Sequence, residues 1–182
     1  RFHSKLTQRS RPLQILYAEH NAADIDLTRV HISRYAPHLQ LDVVHTGAEA
    51  IQRLTEQNNT DTPYDVLLAD YHLPAMNGLE LIKALYQSHR LNIPIVIVTG
   101  RGNEETAVLA LQLGATNYLV KNPGYLFKLP SLIESAFFNH KLEIEQTRLA
   151  ESEKLFRLLA ENARDVIFRF RIKPTPAYEY VS

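Results

Sequence analysis

Val66-Leu67-Leu68-Ala69-Asp70-Tyr71-His72-Leu73-Pro74-Ala75-Met76-Asn77-Gly78 is an apolar run of strand length that stops on an acid and then passes a proline and a glycine. Similar apolar runs lie at 13–18, 39–44 and 93–98, with 117–120 a weaker fifth. Segments of helical spacing alternate with them, marked by Ile25, Val30 and Ile32 after the first run and by Leu79, Leu81, Ile82 and Leu85 after the third. Strands apolar almost throughout, rather than on alternate residues, are expected when helices cover both faces of a parallel sheet. Right-handed crossovers then leave few topologies. The pattern predicts an α/β domain built on a doubly wound, five-stranded parallel sheet.

Helix starts support this reading. Thr46-Gly47-Ala48-Glu49 has the spacing of a capping box, and Asn77 stands three residues before Glu80. Pro130 suits the first turn of a last helix. Beyond it no glycine or proline occurs until after Glu161, which predicts one long helix. Within it Leu142, Leu149 and Phe156 recur every seven residues, with Phe138 and Leu159 in the complementary row, where Glu145 and Ser152 interrupt. This is a short, imperfect coiled-coil seam; the alternative is an amphipathic helix lying on its own domain. The last stretch holds two β-like runs, 165–171 and 178–181, separated by Pro174 and Pro176. Two strands alone are rarely stable, so they read as the start of a second domain.

The 182 residues suit one domain and a remainder. With 45% hydrophobic and 22% charged residues the chain can bury a real core. Twenty basic and twenty acidic residues cancel, leaving no global field toward nucleic acid or an anionic membrane, and no apolar run is long enough to span a bilayer. There is no cysteine, which excludes disulfides and thiolate metal sites and fits the cytoplasm. Residues 1–12 are a basic, polar tail without the apolar centre of a signal peptide.

Ligands of open α/β sheets gather at the carboxyl ends of the strands. There the sequence places Glu19-His20-Asn21, Asp70-Tyr71-His72, Thr99-Gly100 and Lys121-Asn122-Pro123. Taken singly, an aspartate after a strand is usually a turn residue, a threonine a cap and a lysine solvated. Together at successive strand ends they suit phosphoryl transfer to a carboxylate: the acid attacks phosphorus, the ammonium balances charge on the phosphoryl oxygens and the hydroxyl donates to one of them.

From about 13 to 138 these motifs resemble the receiver domains of response regulators and hybrid sensor kinases in two-component signalling. The stretch 66–78 resembles the family's phosphoacceptor strand and loop, Ile95-Val96-Ile97-Val98-Thr99-Gly100 the strand ending in the switch hydroxyl, and Tyr118-Leu119-Val120-Lys121 the strand with the switch aromatic and the lysine. The resemblance implies a flavodoxin-like receiver fold with strand order 2-1-3-4-5. It also implies a regulatory rather than enzymatic module, with Asp70 as phosphoacceptor, Thr99, Tyr118 and Lys121 as its catalytic and switch residues, and a histidine kinase or phosphotransfer domain as phosphodonor. The implied metal is magnesium, held by Glu19, Asp70 and the backbone carbonyl of His72. One position departs: where the family carries a second acid after strand one, this chain has His20. Imidazole suits transition ions better than magnesium, so magnesium affinity is expected to fall. A protonated His20 could instead supply positive charge beside Asp70. A site of His20, His72 and Asp70 for a transition ion is the disfavoured reading. A pseudo-receiver, an interaction and dimerisation module without phosphorylation, is the alternative function that His20 favours. A phosphatase of the haloacid dehalogenase type would need an aspartate where His72 stands, and a dinucleotide fold would need glycines after strand one.

The segment 151–168 resembles the entry helix and first strand of a PAS sensor domain. The implied order is a receiver over 13–138, a linking helix over 139–161 and the start of a PAS-like domain over 162–182. This is the front of a larger signalling protein such as a histidine kinase or diguanylate cyclase, with a homodimer formed through the helix.

Overall fold

The computed structural model describes residues 11–56, 64–88, 92–100, 104–162, 168–171 and 177–180. The chain divides into two compact units, Arg1–Lys141 and Leu142–Ser182. In the first unit, β1 (Leu13–Ala18), α1 (Ala22–Tyr35), β2 (Leu39–Val44), α2 (Gly47–Glu56) and β3 (Val66–Asp70) come first. A small hairpin of β4 (His72–Leu73) and β5 (Met76–Asn77) leads into α3 (Gly78–Lys83), which ends in a π-helical turn, Ala84–Ser88. There follow β6 (Ile95–Thr99), α4 (Glu104–Gln112), β7 (Asn117–Val120) and α5 (Tyr125–Asn162), whose residues from Leu142 on belong to the second unit.

The five main strands form one parallel sheet in the order β2-β1-β3-β6-β7, which is the expected 2-1-3-4-5 when only these strands are counted. All residues of β3 and β6 are buried, as central strands covered on both faces must be. Leu16, Leu67, Ile95 and Ile97 meet Leu54, Leu81, Ile82, Leu85 and Ala110 on one face. Ile15, Tyr17, Leu68 and Val96 meet Ile25, Ile32, Leu129 and Ile133 on the other. Each fully buried leucine or isoleucine contributes about 1.5–3 kcal/mol through removal from water. The register sets Ala18 beside Ala69, Asp70 beside Val98 and Thr99 beside Val120, bringing the carboxyl ends to a common edge.

Local chemistry starts and stops the helices. The Asn77 side chain accepts from the Leu79 and Glu80 N–H groups while Glu80 reaches back to the Asn77 N–H, the complete capping box expected there. At α2 only half of the expected box forms: Thr46 Oγ1 accepts from the Glu49 N–H at 3.1 Å, but the Glu49 carboxylate bonds the His45 N–H at 2.8 Å instead of that of Thr46. Gly114, at φ +111, closes α4: the Ala115 N–H reaches the Ala110 carbonyl and the Gly114 N–H that of Leu111.

Three expectations need correction. Val30 is exposed; α1 instead buries Ile25, Thr28, His31 and Ile32. The strand within the run 93–98 is Ile95–Thr99: its first rung sets Ile95 beside Leu67, whose N–H bonds the Pro94 carbonyl, and it runs on to Thr99 beside Val120. Pro130 lies inside α5, which starts at Tyr125 where Gly124, at φ +86, ends the preceding turn.

The continuous last helix is present, ending at Asn162. In the second unit Leu142, Leu149, Phe156 and Leu159 are exposed. β8 (Phe168–Arg171) pairs antiparallel with β9 (Ala177–Tyr180). Residues 165–167, 172–176 and 181 of the expected β-like segments and turn, and 1–10 of the tail, lie outside the described residues. Arg11, at the end of that tail, pairs with Asp65 at 3.2 Å. Among the described residues no helix is long and apolar enough to cross a membrane.

Candidate functional site

The carboxyl edge of the sheet gathers a buried acid–lysine cluster. Glu19, one residue past β1, is fully buried, and its N–H donates to the Val44 carbonyl at 3.0 Å. Its Oε1 accepts from the Asn21 N–H at 2.9 Å. Asp70, the last residue of β3, is also buried, and its Oδ2 accepts from the His72 N–H at 2.7 Å. Lys121 follows β7, anchored by its N–H to the Thr99 carbonyl at 2.8 Å. Its Nζ lies 2.7 Å from Glu19 Oε2, 2.7 Å from Asp70 Oδ1 and 2.7 Å from Asp24 Oδ2. The structure thus brings Glu19, Asp70 and Lys121 together and adds Asp24, which sequence reasoning missed.

Asp24 stands in the first turn of α1 because Asn21 caps that helix, its side chain accepting from the Ala23 and Asp24 N–H groups. The available signal was the spacing Asn21-x-x-Asp24, but a first-turn acid reads equally well as a complement to the helix dipole. Burial pushes the Lys121 ammonium pKa down, yet hydrogen bonds to Asp24, Asp70 and Glu19 outweigh that and hold it above its ordinary value. Three carboxylates around one ammonium leave two formal negative charges.

His20 sits at the mouth, its side chain about half exposed and its Nδ1 3.5 Å from Glu19 Oε1. Glu19, His20 and Asp70 each offer a ligand atom, all within 4.8 Å of one another. The His72 ring lies edge-on to Tyr71 at 4.9 Å between centroids and is not part of this group. The Gly78 N–H donates to the Tyr71 carbonyl at 2.8 Å, so His72 and Asn77 face each other as a non-hydrogen-bonded pair and the ladder leaves the His72 carbonyl unused.

Thr99 is fully buried at the end of β6, one residue past the partner of Asp70. Tyr118 is half-buried and packs on the α3/α4 side of the core. Burial raises its phenol pKa, with the Thr99 hydroxyl opposing. The Tyr118 hydroxyl is shielded from solvent and faces Thr99 without a well-formed hydrogen bond.

Fold and cleft define a flavodoxin-like α/β module with an acid–lysine cluster at its ligand edge. The chain belongs to the response regulator receiver domain family, whose pattern it matches over residues 15–129, more than half its length. The transcriptional regulatory protein CpxR of Escherichia coli strain K12 is 40% identical over 79 residues, 43% of this chain and 31% of CpxR, so the chain spans about a third of that relative. Among solved structures, the phosphorylated cyanobacterial phytochrome response regulator RcpA superposes with a TM-score of 0.59 at 25% identity, covering 70% of this chain and 94% of that one. The Mn(2+)-bound form of response regulator Rcp1 gives 0.56 at 27% identity, covering 68% and 93%.

Proposed function

We propose that Asp70 accepts a phosphoryl group from a histidine kinase or phosphotransfer domain and that the change is relayed through α5 to a downstream PAS-like domain. The observation that carries this reading is the 2.7 Å contact between Lys121 Nζ and Asp70 Oδ1 in a buried cleft at the strand ends. An Asp70 oxygen attacks phosphorus, the bond to the donor's imidazole nitrogen breaks, and the nitrogen keeps the electron pair. Lys121 holds charge on the incoming phosphoryl oxygens, and Thr99 donates its hydroxyl to one of them. Tyr118, beside Thr99, shifts with it and changes the face presented by α4, β7 and α5. Glu19, Asp70 and the His72 carbonyl would hold a divalent ion, with magnesium weakened by His20. Bound there, such an ion would supply positive charge to offset that of the carboxylates and the phosphoryl oxygens.

The exposed Leu142, Leu149, Phe156 and Leu159 support a parallel homodimer through 139–161, and the β8–β9 pair supports a PAS-like start. A parent histidine kinase or diguanylate cyclase fits this order, and absence of cysteine and of net charge supports a cytoplasmic chain without a nucleic-acid role of its own. CpxR, of which the match covers 31%, is a transcriptional regulatory protein.

The second reading, a pseudo-receiver, rests on His20 in place of an acid. Labelling with acetyl phosphate, with and without magnesium, separates the two. Labelling of the parent that disappears in Asp70→Asn supports the phosphoacceptor. Labelling of His20→Asp alone supports the pseudo-receiver.

A further inference from the structure

We propose that this cleft prefers a borderline divalent transition ion, of the iron-to-zinc series, over magnesium, with the His20 imidazole as a direct nitrogen ligand beside Glu19 and Asp70. The inference deepens the reading of the Asp70 cleft and takes its location from it. Its first support is the donor set. Glu19, His20 and Asp70 offer two oxygens and one nitrogen within 4.8 Å of one another. Ligand atoms on a shared ion of this kind lie about 3–4 Å apart, given metal–ligand distances of about 2.0–2.2 Å. His20, whose side chain is about half exposed, is the member of the group with room to adjust.

The second support is preorganisation. The two carboxylates are almost fully buried and their orientations are set by backbone donors, Asn21 N–H on Glu19 and His72 N–H on Asp70. Both carboxylates are thus presented to an ion, while the third donor from this chain is a nitrogen, so magnesium would take its remaining oxygens from water. The third is charge. Glu19, Asp24 and Asp70 against Lys121 leave two formal negative charges, the complement of one divalent cation. An imidazole nitrogen in place of an acid oxygen makes the site less negative by one charge and softens its donor set, and the softer donor moves selectivity from magnesium toward transition ions.

Titration calorimetry with Mg2+, Mn2+ and Co2+ on the 182-residue chain tests this, comparing the parent with His20→Asp, His20→Ala and Asp70→Asn. Any oxygen site favours Co2+ somewhat, so the decisive quantity is the change in preference. We expect the Co2+-over-Mg2+ ratio to be at least about tenfold larger in the parent than in His20→Asp. Pulsed electron paramagnetic resonance of the Mn2+-loaded parent should show an imidazole nitrogen coupling that vanishes in both His20 variants, and Asp70→Asn should weaken Co2+ binding. His20 is exposed, so its replacement leaves the fold intact, which circular dichroism checks. An unchanged ratio, a parent without nitrogen coupling, a coupling that survives His20→Ala, or Co2+ binding indifferent to Asp70→Asn overturns the proposal. Acetyl phosphate labelling is read separately: nitrogen-ligated ion binding without labelling keeps this inference and removes the phosphoacceptor reading, whereas magnesium-dependent labelling without nitrogen coupling does the reverse.

Discussion

The Asp24 carboxylate and the Lys121 ammonium, 97 residues apart in the chain, lie 2.7 Å from each other across the mouth of the cleft. α1 and the end of β7 are therefore joined through an ion pair that Glu19 and Asp70 extend inward. Asp24 is partly exposed, which moderates the strength of its own pair. Asp24→Asn should cost about 1–2 kcal/mol, combining a charged hydrogen bond with a lost first-turn acid. Urea unfolding at neutral pH measures it, and an unchanged midpoint would show that the pair contributes nothing.

Lys121→Met has a larger expected effect. It leaves the almost fully buried carboxylates of Glu19 and Asp70 without their shared cation. Breaking a buried pair in this way costs about 3–5 kcal/mol. Labelling of Asp70 should fall to background even under conditions where the variant is fully folded by circular dichroism. A variant that labels like the parent would remove Lys121 from the proposed chemistry.

Stability should be flat from neutral pH to about pH 9.5 and then decline, because the relevant groups start to titrate near their ordinary values. For Lys121, burial opposes the charge but the carboxylates win, holding its pKa above the ordinary 10.5. Burial, with the hydrogen bond to Asp42, pushes the Tyr64 phenol from 10.0 up to about 12, and burial raises Tyr17 as well. All three have folded values above unfolded ones. Their contributions are therefore complete below the unfolded pKa and are lost as pH rises through the folded one. Urea midpoints between pH 7 and 11.5 provide the test, and a midpoint that rises above pH 10 would contradict it.

Ala75 occupies φ +62 in the tight turn Leu73-Pro74-Ala75-Met76, at the position where a type II turn requires a positive φ. An L side chain there costs about 1–2 kcal/mol, part of which returns to the unfolded chain as entropy when glycine replaces it. Ala75→Gly should thus raise stability by about 0.5–1 kcal/mol, visible as a higher Tm. A lower Tm would mean that the turn is not strained.

Leu149 and Phe156 are exposed one heptad apart on α5. If the proposed homodimer uses them, sedimentation equilibrium of the chain gives twice the monomer mass, and Leu149→Glu combined with Phe156→Glu returns it to the monomer mass. Equal masses for parent and variant would remove the seam from the interface.

The sheet was legible because its central strands are buried on both faces, and continuous apolar runs as short as 66–69 suit few arrangements besides a covered parallel sheet. Asp70, Glu19 and Lys121 were legible as residues at the ends of such runs. Val30 and Asp24 were not. Helical spacing shows that α1 has an apolar side but leaves its rotation on the sheet open, and a first-turn acid serves a helix with or without a distant lysine. Pro130 was misplaced for a similar local reason: proline tolerates the first turn, but the start of α5 depends on Gly124, whose positive φ only the folded turn reveals.

By itself the sequence determined the alternation of strand and helix, the order of polar residues at the strand ends, and the substitution of His20 for an acid. Tertiary structure alone decided that three carboxylates converge on one ammonium and that the His20 side chain, rather than that of His72, lies beside Glu19 and Asp70. The reason is that apolar runs record burial along the chain, whereas these contacts depend on strand register and helix rotation, which place side chains from residues 19, 24, 70 and 121 within a few ångströms.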